Sequence, residues 1–94
     1  MKNLKTKDLK NLRTQIDEVD SKLIELLSKR MSLVKKVGEV KKSNNILPLD
    51  NNRWKEVLDS RRTLADKLDL DANLVEDIWN LIHENALKIE AIDQ

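Results

Sequence analysis

Aliphatic residues recur along the first forty positions at alternating steps of three and four, the spacing of one face of an α-helix. We call this series, together with the one arginine in it, the seam; its members are Leu9, Leu12, Ile16, Val19, Leu23, Leu26, Arg30, Leu33, Val37 and Val40. The seam predicts a first helix from about Asp8, as its N-cap, to about Lys42, with its end in the polar run 43–45. Such a face has to pack against another helix.

Two shorter helices are predicted after the first. The loop Asn44 to Leu49 contains the only proline, and Asp50 then caps a helix with helically spaced Trp54, Val57, Leu58, Arg61, Leu64, Ala65 and Leu68. After a break at 69–71, Asp71 caps a helix with Leu74, Val75, Ile78, Leu81, Ile82, Ala86 and Ile89. Since no segment alternates like a strand, we expect an all-α fold of three helices in a single domain, residues 1–94.

The predicted first helix is too long for a compact monomer. Some 35 helical residues span about 52 Å, whereas a folded domain of this length has a diameter of roughly 30 Å. The seam therefore extends beyond what one chain can cover. A second copy of the chain would cover it, so we expect an intertwined homodimeric helical bundle.

Composition excludes several classes of function. Charged residues make up 37% of the chain, but 18 Lys and Arg against 17 Asp and Glu leave a net charge of +1. That balance argues against nucleic acid as a partner, which demands a basic excess. The chain has no cysteine, which excludes disulfides and thiolate sites and fits the cytoplasm. There is no apolar run of about 20 residues, so no membrane span is expected.

Few residues in the chain suit metal or cofactor chemistry. His83 is the only histidine and there is one glycine, which argues against zinc sites, a Ser-His-Asp triad and a phosphate-binding loop. We therefore expect no metal and no cofactor. His83 itself is interpreted as an ordinary residue on the face of a helix.

Arg30 interrupts the seam with a permanent positive charge. A buried cation without a partner costs several kcal/mol, so an anion should meet it. Lys41 follows eleven residues later, within about 20° of the same helix face and about 16 Å along the axis. These two long side chains could hold a small dianion between them.

Arg13 lies 17 residues before Arg30, about 25 Å away along the helix, too far to reach the same ligand. If two copies of the helix cross antiparallel near residues 24 and 25, however, Arg13 of the partner falls opposite residue 35 or 36. It then lies between Arg30 and Lys41. The pairing that buries the seam would also create a pocket of three cations at each end of the dimer.

The sequence around these cations resembles the all-helical chorismate mutase family. The resemblance rests on Leu-Arg13-x-x-Ile16-Asp17-x-x-Asp20-x-x-Leu23-x-x-Leu-Leu27-x-x-Arg30, then Val37-Gly38-x-x-Lys41 and Pro48-x-Asp50-x-x-Arg53. It covers the chain from about Leu9 to Glu90. It implies an intertwined three-helix homodimer that rearranges chorismate, a dianion, to prephenate.

The resemblance also implies roles for individual residues. Arg13 from the partner chain and Arg30 would bind the two substrate carboxylates, and Lys41 would contact the ether oxygen and a carboxylate. Asp50 and Arg53 would form part of the polar wall of the site. A pericyclic rearrangement needs a folded substrate and stabilised charge rather than a nucleophile, which suits this set of residues.

Three positions depart from the family pattern. Trp54 stands where a glutamate usually holds the ring hydroxyl, Ala86 stands at a nearby serine position, and Glu90 stands where a glutamine usually faces the ether oxygen. Trp54 is either a core aromatic or part of the hydroxyl side of the substrate site. Both Ala86 and Glu90 are expected in the site, with Glu90 acting beside Lys41 and Arg30 in catalysis.

Two alternative functions stay open from the sequence. An isochorismate pyruvate-lyase resembles the mutases and also has an apolar residue at the position of Trp54. A non-catalytic helical dimer, either a scaffold or a regulatory subunit, is the other alternative. The inward-facing cations Arg13, Arg30 and Lys41 argue against a scaffold, which has no use for them.

Overall fold

Residues 5–91 are described by a computed structural model. The chain forms three helices, α1 over Thr6–Ser43, α2 over Asn51–Lys67 and α3 over Ala72–Ala91. Within residues 5–91 there is no strand, so the all-α class and the three helices are confirmed. The chain divides into two compact units, one ending at Ser32 and the other beginning at Leu33.

The starts of the helices agree with the sequence at two of three places. Asp50 caps α2, and its Oδ1 accepts from the backbone N–H of Arg53 at 3.0 Å. Asp71 likewise accepts from the N–H of Asn73 at 2.8 Å. Asp8 as the N-cap of the first helix is wrong, because α1 begins at Thr6 and Asp8 lies in its first turn. From there its Oδ2 accepts from the N–H of Lys5 at 2.7 Å, as in a capping box.

A residue with left-handed backbone follows each of the first two helices. Asn45 has φ of 57° after α1 and Asp69 has φ of 56° after α2; these two residue types tolerate that conformation best after glycine. The chain then folds back, since the N–H of Ile46 donates to the carbonyl of Lys41 at 2.7 Å and that of Leu70 to Ala65 at 2.9 Å. Both helices therefore end where the polar breaks predicted.

The core of the second unit lies between α2 and α3. Small and β-branched side chains are buried there, which lets the two helices approach closely; they are Val57, Ala65, Val75, Ile82 and Ala86. Arg62 on α2 reaches Asn73 and Glu76 near the start of α3, at 3.2 and 3.5 Å. These contacts are partly exposed, so their main effect is to fix the pairing of the helices.

The seam remains uncovered in the single chain. Its nine aliphatic residues are between 46% and 62% exposed. An apolar stripe along one helix, interrupted only by Arg30, is larger than isolated surface leucines and marks an interaction surface. No helix in the described part of the chain is both long and apolar enough to span a membrane.

Candidate functional site

An ion pair between α1 and α3 forms the centre of the candidate site. Lys41 Nζ lies 2.7 Å from Glu90 Oε1, and the two side chains are 18% and 9% exposed. Lys41 is in the last turn of α1 and Glu90 in the last turn of α3. Two residues that the sequence assigned to catalysis are therefore brought together, in surroundings that exclude most solvent.

The loop after α1 supplies a second acceptor for the same ammonium. Lys41 Nζ donates to the backbone carbonyl of Pro48 at 2.5 Å. An ammonium group has three N–H donors, and one of them donates to the Pro48 carbonyl. The Glu90 carboxylate attracts the same charge as an ion pair, so the position of the ammonium is fixed from two sides.

Gly38 allows α3 to approach α1 at this point. A Cβ placed on Gly38 would lie 3.0 Å from the Cα of Glu90 and 3.3 Å from its Cγ. The obstacle includes backbone, which cannot rotate away as a side chain can. The chain's single glycine therefore sets the spacing that lets Glu90 reach Lys41, one turn further along α1.

Replacing Gly38 with alanine is expected to destabilise the protein although alanine favours helix. Overpacking costs about 1–3 kcal/mol, against a gain of about 1 kcal/mol in helix propensity. Urea unfolding at one fixed protein concentration measures the balance. Glu39→Ala, an exposed change at the next position, is the matched control. A Gly38→Ala protein more stable than the parent would show that α1 and α3 have room to spare.

The other residues of the second unit that were predicted for the site lie between Lys41 and Glu90 in the sequence. Ala86 is buried on α3 one turn before Glu90. Asp50, two residues after Pro48, uses its carboxylate to cap α2, and the side chain of Arg53 is exposed in the first turn of that helix.

Trp54 stacks on His83 of α3. The ring centroids are 3.8 Å apart and the planes differ by 9°, and both residues are partly buried. This contact ties the first turns of α2 to the middle of α3. His83, interpreted from sequence as a residue on the face of a helix, makes a specific contact with a predicted site residue.

The two predicted carboxylate-binding arginines lie on α1 in the first unit. Arg13 is exposed and Arg30 is partly buried. Across residues 5–91, no group of three or more His, Cys, Asp or Glu side chains is arranged to hold a metal ion.

A sequence profile described as chorismate mutase type II matches residues 12–91, which include every candidate site residue discussed above. The chain belongs to the type II chorismate mutase family. The part of this type II chorismate mutase chain that the profile matches, residues 12–91, contains the whole of α2 and α3 and most of α1.

The relatives that this type II chorismate mutase chain matches differ in length. The chain is 32% identical over 88 residues to the chorismate mutase of Methanocaldococcus jannaschii, covering 92% of this chain and 89% of that protein. It is 40% identical over 70 residues to the T-protein of Haemophilus influenzae, covering 74% of this chain but 19% of the T-protein. The bifunctional chorismate mutase/prephenate dehydratase of Buchnera aphidicola is 32% identical over 80 residues, 85% of this chain and 21% of that protein.

Two features of the site had no clear signal in the sequence. The carbonyl of Pro48 is a backbone atom, so no residue type marked it as the acceptor for Lys41. The Trp54–His83 stack joins positions 29 residues apart, and only the register of α2 against α3 brings them together. Their residue types, the sole histidine and an aromatic at an atypical position, were the only hint.

Proposed function

We propose that the chain catalyses the rearrangement of chorismate to prephenate, with residues 1–94 acting as one chorismate mutase domain. The observation that carries the proposal is the Lys41–Glu90 pair, held in a mostly buried place at 2.7 Å, in a chain of the type II chorismate mutase family. The M. jannaschii relative, matched over 89% of its length, bears the name of this activity.

The reaction requires the protein to position the substrate and to stabilise the developing charge, and little else. In the rearrangement an ether C–O bond breaks while a C–C bond forms, and negative charge grows on the ether oxygen. A fixed ammonium aimed at that oxygen stabilises the transition state more than the ground state. Lys41 suits this role because Glu90 and Pro48 already hold it in place.

The substrate carboxylates need cations, and α1 supplies two. Arg30 is the one charged member of an otherwise aliphatic seam, and a guanidinium binds a carboxylate through two parallel N–H donors. We assign one substrate carboxylate to Arg30 and the other to Arg13 from a partner chain. Asp50, Arg53, Trp54 and Ala86 complete the substrate-binding set, with Glu90 beside the ether oxygen.

The proposal includes an intertwined homodimer. Half-exposed aliphatic side chains along the length of α1 give a second copy an apolar surface to cover. The seam is self-complementary in an antiparallel pairing, as a two-fold interface requires.

The test is a direct assay with two substrates offered separately. Chorismate should be consumed with formation of prephenate, and isochorismate should yield no salicylate or pyruvate. Salicylate and pyruvate from isochorismate would identify a lyase instead. No turnover of either substrate by folded protein would indicate a non-catalytic dimer.

Glu90 is the residue proposed beside the ether oxygen. A carboxylate can only accept a hydrogen bond, whereas the amide of a glutamine can donate one. Glu90→Gln, which donates at every pH, should therefore remain active in mild alkali. The measurement is kcat of the variant with chorismate from about pH 5 to 9. Loss of turnover in a folded Glu90→Gln protein would place another group at the ether oxygen.

A further inference from the structure

Two aromatic rings lie face to face at the border of the candidate site. Trp54 and His83 are separated by 3.8 Å between ring centroids with planes only 9° apart. Neither residue is fully exposed. Two planar rings at this spacing overlap, so each restricts the rotation of the other about its side-chain bonds.

The position of His83 on α3 relates the stack to the ion pair. His83 and Glu90 are seven residues apart, which places them within about 20° of one helix face and about 10.5 Å apart along the axis. Buried Ala86 lies between them in sequence. The stack and the Glu90 carboxylate are therefore on the same side of α3.

The position of Trp54 on α2 also relates the stack to the ion pair. Trp54 lies one turn after Asp50, and Asp50 follows two residues after the carbonyl of Pro48 that holds Lys41. The indole is thus attached to the same stretch of chain that fixes the catalytic ammonium.

We propose that His83 is a positioning residue, which holds the indole of Trp54 as a flat wall against the ring of the substrate. The inference rests on the proposed site around Lys41 and Glu90. A six-membered carbocycle presents a broad apolar face, and a planar indole is the side chain that covers such a face best. An indole free to rotate would cover it only part of the time.

The wall contacts a part of the substrate that carries little of the developing charge. Its contribution is therefore similar in the ground state and the transition state, and loss of such uniform binding raises KM with little change in kcat. Loss of Lys41 should lower kcat instead. A residue of the wall is therefore recognised by a change in KM, and a residue that stabilises the developing charge by a change in kcat.

Four variants and one control test the inference. His83→Leu removes the planar ring, His83→Phe keeps a planar ring without the imidazole nitrogens, and Trp54→Leu and the double Trp54→Leu/His83→Leu complete a cycle. Asp77→Ala, an exposed change on another face of α3, is the control. Each variant is made in the 94-residue chain and assayed with chorismate, alongside circular dichroism and thermal unfolding.

We expect His83→Leu to raise KM about threefold to tenfold with kcat within about twofold of the parent. His83→Phe should remain within about twofold in both constants, because the stack persists. The double variant should have a KM no higher than Trp54→Leu alone, since His83 acts through Trp54. Asp77→Ala should match the parent.

The opposite results would overturn the inference. If Phe and Leu at position 83 are equally impaired, the imidazole nitrogens matter and the stack does not. If the two leucine changes multiply in the double variant, His83 acts independently of Trp54. If His83→Leu lowers the melting temperature but leaves KM unchanged, the pair is core packing only. Failure of the proposed site would differ, because Lys41→Ala would then keep parental turnover.

Discussion

Lys41→Ala is expected to lower kcat by about 10²–10³-fold, the usual cost of removing one preorganised charge contact from a transition state. The ammonium is fixed by Glu90 and Pro48, so its loss removes a charge that needs no reorganisation during the reaction. Stopped or continuous assay of chorismate consumption at saturating substrate measures the effect. Lys42→Ala, the exposed neighbouring lysine, should keep parental kinetics.

The same substitution also leaves the Glu90 carboxylate without its partner, which destabilises the fold independently of catalysis. The double variant Lys41→Ala/Glu90→Gln separates the two effects. It should recover most of the lost melting temperature and little of the lost turnover. Recovery of turnover together with stability would show that Lys41 supports the fold and not the reaction.

A mixture of two inactive variants, Arg13→Ala and Arg30→Ala, is expected to regain activity when the chains are unfolded and refolded together. In the mixed form of the proposed dimer, one site carries both substitutions and the other carries neither, because the proposed site takes Arg13 from the opposite chain. Random pairing restores about a quarter of the parental sites. The assay is chorismate consumption per chain after co-refolding.

Each variant refolded alone is the control and should stay inactive, with circular dichroism equal to the parent. Light scattering on the mixture reports the number of chains in the particle. A dimeric mixture with no more activity than its components would mean that both arginines of a site come from one chain. A monomer by light scattering would remove the basis of the shared site altogether.

The helices were largely predictable because their signals are local. The steps of three and four in the seam and the carboxylates of Asp50 and Asp71 each act within one or two turns of chain. The prediction of Asp8 as the N-cap was wrong for the same reason, since a carboxylate can serve as the N-cap or accept a hydrogen bond from the first turn. The sequence does not distinguish these two positions of Asp8, because the helix can also begin at Thr6.

For the candidate site, the sequence indicated residue types but not their contacts. A lysine near the end of the first helix and a glutamate near the end of the third were identifiable, and they form an ion pair. The role of Gly38 was not predicted, because it depends on how closely Glu90 approaches from another helix. The contact of His83 was not predicted either, since it depends on the ring that stacks against it from another helix.

The ammonium of Lys41 joins three parts of the fold: the end of α1, the loop at Pro48 and the last turn of α3. In the proposed site, an anion would share this nitrogen with the oxygens that already hold it. Occupancy of that site and the position of the loop would then be thermodynamically linked, each changing the free energy of the other by the same amount. The loop between two helices would thereby report whether the site is filled.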